Sequence, residues 1–177
     1  MKKNAIKTIT INAMGIALFV VLSLCLQVPV FQNYYLCLGY VAMTVYCYSI
    51  GAVSGSIVGT IGVILYCLLI SGLRGMPGWA MGNLFLGIIM GITFKLVKKI
   101  KKPVIETIIS AIVIVIATAI AMLVIKSCVE CLLYSQPFMV RAATNLYAFI
   151  ADAFVIIVSL PIARVLEPHI LKILKKF

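Results

Sequence analysis

The sequence predicts an all-α integral membrane protein: a six-transmembrane-helix bundle in which residues 1–177 form one domain and both termini are cytoplasmic. Three observations carry this. The chain is 64% hydrophobic and only 11% charged, with a mean hydropathy of +1.23, so a water-soluble fold would expose far too much apolar surface. Its uncharged apolar stretches approach the roughly 20 residues needed to cross about 30 Å of hydrocarbon. Its Lys and Arg residues collect in alternate connections, as orientation in a bilayer requires.

The first stretch, Ala5 to Val28, is too long for a signal-peptide core and lacks a clear small-residue cleavage site, so it reads as a span. The second, Cys37 to Ile50, is short and nearly fused to the third, Gly51 to Ser71, at the Ile50-Gly51 boundary. A five-span reading competes there. The segment "GLRGMPG" joins the third to the fourth stretch, Trp79 to Phe94, with glycines that permit turns and Pro77 fixing the helix entry. Val104 to Ile125 and Phe138 to Leu166 complete the set. With six spans, Lys2, Lys3, Lys7, Lys95, Lys98, Lys99, Lys101, Lys102, Arg164, Lys172, Lys175 and Lys176 fall on one side, which is then cytoplasmic. Arg74, Lys126 and Arg141 fall on the other. The net charge of +11 therefore reads as topology and contact with anionic lipid, not as nucleic-acid binding.

Enzymatic readings find little support. The chain has no GxxxxGK[ST] phosphate loop, and six spans leave no room for a soluble nucleotide-binding domain, so any ATP hydrolysis belongs to other subunits. Asp152 alone lies within a span, which makes neither a carboxylate dyad nor a metal centre, and no cofactor is implied. Of the 6 cysteines, Cys25, Cys37, Cys47 and Cys67 sit in apolar runs as small hydrophobes. Cys128 and Cys131 have redox-pair spacing but no second pair or nearby histidine, so packing is the expected role.

Small residues recur at helical spacing: Gly51, Gly55 and Gly59; Gly78 with Gly82; Gly87 with Gly91; Ala117 with Ala121. Such stripes let backbones approach in lipid, and most are expected to pack inside the bundle. Ala13 and Ala17, near the start of the first span, are instead read as a seam for a partner helix.

The early AxxxA, the uncharged loop "VPVFQNYY", the run "LGYVAMTVYCYSIGAVSGSIVGTIGVILYCLLISG", the glycine-rich "GWAMGNLFLGIIMG" and the basic "KLVKKIKK" together resemble S components of energy-coupling factor (ECF) transporters. The riboflavin-type superfamily is the most similar, over nearly the whole chain. The resemblance implies a substrate-binding subunit of the prokaryotic cell membrane that captures a vitamin or related micronutrient outside. It also implies partners, namely a transmembrane scaffold (T) subunit and two ATPase subunits, with Ala13 and Ala17 at the scaffold interface. Where the family often reads "LGD", this chain reads Leu38-Gly39-Tyr40, which removes a carboxylate.

Candidate ligand residues follow from position. Trp79 and Asn83 stand one turn apart at the start of the fourth span, as ring face and amide. Arg141, Asn145, Ala148 and Asp152 fall within about 40° of one another on a helix, giving an inward polar stripe. Tyr34 and Tyr35 in the first external loop, and Arg74 in the second, are rim candidates. Interfacial anchoring is the competing role for Trp79 and the tyrosines, and snorkelling for Arg74. Glu130 is expected to pair with Lys126 one turn away. Two rival functions stay open: an ion-coupled secondary transporter or small channel using Asp152, and a non-transporting membrane scaffold.

Overall fold

The computed structural model describes residues 2–25, 29–31, 34–71, 76–100 and 102–176. Helix α1 (Lys2–Cys25) leads into a two-stranded antiparallel ribbon, β1 (Pro29–Phe31) with β2 (Tyr34–Tyr35). Apart from this five-residue ribbon, the regular elements among the described residues are helical, in keeping with the all-α class. Then come α2 (Gly39–Ser49), α3 (Ala52–Tyr66) with a π-helical extension Cys67–Ser71, and α4 (Met76–Val97). A single long rod follows: α5 (Pro103–Ala119), a π segment (Ile120–Lys126) and α6 (Ser127–Tyr134). Ser135, at φ 52, closes it, and after two more residues α7 (Phe138–Lys176) begins.

Among the described residues, five rods are long and apolar enough to cross a membrane: Ile6–Cys25, Ala52–Ile70, Met76–Val97, Pro103–Tyr134 and Phe138–Leu174. The expected second span does not join them. With 11 residues, α2 is about 16 Å long, half of a hydrocarbon core. It is buried on all sides, with Tyr40, Met43 and Thr44 fully enclosed among α1, α3, α4 and α7. The break between α2 and α3 falls where the sequence placed it, because Gly51 at φ 123 adopts a backbone conformation that other residues resist.

Two boundaries move outward. The fifth stretch was expected to stop at Ile125, with Lys126 in an external connection, but the rod continues through Lys126 to Tyr134 and Lys126 is buried. The sixth was expected to stop at Leu166, yet α7 runs through Pro161 and Pro168 to Lys176. Both prolines are exposed, so their rings meet no neighbouring helix.

Close backbone approach holds the rods together, as it must where lipid offers no hydrophobic driving force. A Cβ on Gly91 would lie 2.2 Å from the Cα of Ala52, and one on Gly87 would lie 2.6 Å from the Cα of Ser56, so α3 and α4 cross at those glycines. Gly55 and Gly59 do the same against Cys47 and Met43 of α2. Gly78 and Gly82 admit the carbonyls of Lys126 and Ala121. Ala13 and Ala17 differ from all of these: both are exposed, while Asn12, Gly15 and Phe19 take the inward face of α1.

The two ends of the described chain meet at one end of the bundle, where Lys7 donates to the Leu174 carbonyl. There Arg164 pairs with Glu106 at 3.1 Å and Lys98 pairs with Glu167. Tyr48 donates to Glu106 at 2.8 Å, tying α2 to α5. The cysteines are unpaired, with Cys37 against the Ser23 hydroxyl and Cys47 against the Gly87 carbonyl.

Candidate functional site

Towards the opposite end, polar groups from α4 and α7 converge on the hydroxyl of Tyr40, in the first turn of α2. Trp79 Nε1 donates to it at 2.8 Å. Its own hydrogen is placed to donate to Asn83 Oδ1 at 2.8 Å or Asp152 Oδ2 at 3.0 Å. A phenol has one hydrogen and two lone pairs, so this single oxygen joins α2, α4 and α7. Asn83 extends the link to α3 by donating from Nδ2 to the Gly59 carbonyl at 3.1 Å. Glycine at position 59 lets the α2 and α3 backbones draw close beside this link. Tyr40 and Asn83 are fully enclosed and Asp152 is 4% exposed. A polar cluster of this kind inside a membrane bundle is costly unless every group is satisfied or a ligand completes it.

Aromatic rings border the cluster. Trp79 meets Tyr66 edge to face at 5.9 Å and 86°, and Phe19 meets Tyr40 at 6.1 Å and 72°. The Lys126 ammonium lies over the other side of the indole, 5.9 Å from its centroid.

A second cluster lies further along α7. Asn145 Nδ2 donates to Ser127 Oγ at 3.0 Å and to Glu130 Oε2 at 3.1 Å. Arg141 reaches the same Glu130 oxygen at 3.9 Å and stacks over Tyr134 at 5.7 Å. The expected Lys126–Glu130 pair is therefore replaced by Arg141–Glu130, and among the described residues no carboxylate oxygen lies within 4.0 Å of Lys126 Nζ. The π segment carries the reason. One extra residue per turn shifts the phase between Lys126 and the regular helix before it, turning its side chain towards α4.

Of the residues singled out from sequence, Trp79, Asn83 and Asp152 come together, and Asn145 with Arg141 forms the neighbouring cluster. The α7 stripe faces inward as its periodicity predicts, with Asn145, Ala148 and Asp152 buried and Arg141 half-buried. Asn145 and Asp152 are about 10 Å apart along the axis. Tyr34 and Tyr35 form β2, but their side chains and the whole of Arg74 lie outside the described residues. Sequence reasoning missed Tyr40, Lys126, Ser127 and Glu130. Tyr40 was read as the loss of a carboxylate from the "LGD" position. The fold restores one beside it, because Asp152 of α7 stands at 3.0 Å from that hydroxyl. Among the described residues no group of His, Cys, Asp and Glu could hold a metal ion.

Comparison with known proteins follows this geometry. The family model of the ECF-type riboflavin transporter, S component, matches residues 3–168. None of the curated proteins matches. Among solved structures, the chain is similar to the 2.1 Å crystal structure of the S component for biotin from an ECF-type ABC transporter. The TM-score is 0.63 at 19% identity, over 95% of this chain and 94% of that one, a likeness of fold.

Proposed function

The chain belongs to the family of ECF-type riboflavin transporter S components, and on that premise we propose that it is the membrane-embedded subunit that captures a vitamin-like micronutrient, with ATP hydrolysed by separate subunits. The observation that carries this is the Tyr40–Trp79–Asn83–Asp152 cluster. It gathers a carboxylate, an amide and an indole face at one end of the bundle, the set that orients a small heterocycle bearing both N–H and C=O groups. Asn145, Arg141 and the ribbon carrying Tyr34 and Tyr35 border that end, and Arg74 precedes α4 in sequence. The two vitamins named for the family and for the similar fold, riboflavin and biotin, both present ureido-type edges that such a cluster can read.

The basic end, with Lys98, Lys99, Arg164 and Lys172, faces the cytoplasm in this reading, by the bias of Lys and Arg towards that side. Both termini then lie in the cytoplasm, and the capture site opens outside. A cysteine replacing Lys99 should be shielded from an impermeant thiol reagent in intact cells while one replacing Ser135 is labelled, in a background lacking native cysteines. Reversed labelling would overturn the orientation.

The capture role itself is tested by native mass spectrometry of the chain purified alone from cells grown in rich medium. A bound small molecule, released on denaturation, is the expected result. A chain that is empty and binds neither riboflavin nor biotin would contradict the role.

A further inference from the structure

We propose that Lys126 forms an anion subsite, so that the captured molecule carries a carboxylate whose charge this side chain meets. The inference rests on the capture role above and names the chemical class of its substrate. Lys126 is 8% exposed, buried against the rest of the bundle from the apolar rod Pro103–Tyr134. Its Nζ makes no hydrogen bond among the described residues, and no carboxylate oxygen comes within 4.0 Å. Glu130 and Asp152 act on its charge from beyond contact distance, and an ammonium whose hydrogens meet no acceptor among the described residues is costly inside a membrane bundle.

The nearby acids are otherwise engaged. Glu130 takes Asn145 and Arg141, and Asp152 takes the Tyr40 hydroxyl. What Lys126 does have is the Trp79 ring, the same indole whose nitrogen donates into the Tyr40 cluster. The indole thus meets a hydrogen-bonding cluster through its N–H edge and a cation over its ring. A molecule lying along it would place a polar ring at Tyr40, Asn83 and Asp152 and an acidic tail at Lys126. The π segment fits this reading, since π turns inside α-helices re-aim single side chains and recur at functional sites.

Calorimetric titration of the full-length chain with biotin, its primary amide and riboflavin tests the subsite. Biotin and its amide differ only in the tail charge. The wild-type chain should bind the acid roughly 10- to 100-fold more tightly than the amide, the range expected of a hydrogen bond to a charged group. Lys126→Met, which keeps the apolar stem, should remove that preference. Lys126→Arg should retain the preference, which separates charge from packing. Equal affinity for acid and amide, or a preference that persists in Lys126→Met, would overturn the subsite and leave the capture role standing. So would tighter binding of riboflavin, which has no carboxylate. Binding of none of the three would overturn the subsite, and, with a chain that also purifies empty, the capture role as well.

Discussion

Tyr40→Phe is expected to weaken capture of the bound molecule at least tenfold and to lower the melting temperature of the purified chain. The substitution removes one oxygen and leaves the ring that packs on Phe19. It strands Trp79 Nε1, Asn83 Oδ1 and the Asp152 carboxylate, each within 3.0 Å of that oxygen. A buried polar group without a partner costs about 1–3 kcal/mol, and a network of this kind loses more than one pair when its hub is cut. Asn83→Ala should act similarly, because it also releases the Gly59 carbonyl. A double-mutant cycle of Tyr40→Phe with Asp152→Leu separates the network from two independent contacts, since coupled residues depart from additivity. Wild-type affinity and melting temperature in Tyr40→Phe would remove the hydroxyl from the site.

The second large effect is expected at Ala13 and Ala17. Both are exposed on the outer face of α1, four residues apart, so they do not serve the internal packing that Gly55, Gly87 and Gly91 provide. Replacing both with leucine adds bulk where a partner helix would need close backbone approach. Uptake through the complete transporter should be abolished while ligand affinity of the isolated chain stays unchanged. If these alanines only face lipid, the leucines would sit there as comfortably and uptake would persist.

Much of the architecture is legible in the sequence because membrane spans are long and uniform signals. The end of α2 at Gly51 could be read from a glycine between two apolar runs, and the α7 stripe from its helical period. Lys126 was misplaced because a charge ends an apolar window, and nothing in composition shows a π segment turning that charge inward. The reach of α7 was underestimated as well: the apolar stretch ends at Leu166, yet the helix runs on through Pro168 to Lys176. Tyr40 was read only as the loss of a carboxylate. Its role is set by Asp152, 112 residues away in sequence, a pairing that only the packing of α2 against α7 creates. Trp79 and Asn83 were legible from their one-turn spacing, and Arg141 with Asn145 from theirs. Their division into two clusters was not, because it depends on Ser127 and Glu130.

The central claim is that the chain binds while other subunits supply the energy. Its most direct measurement is uptake of the radiolabelled co-purifying molecule into proteoliposomes, containing either the chain alone or the chain with an ECF scaffold subunit and its two ATPases. The account predicts binding but no accumulation by the chain alone, with or without an imposed proton gradient, and accumulation by the complete assembly only when ATP is supplied. Accumulation by the chain alone, driven by a proton gradient and lost in Asp152→Asn, would contradict it and make Asp152 the coupling residue of a secondary transporter.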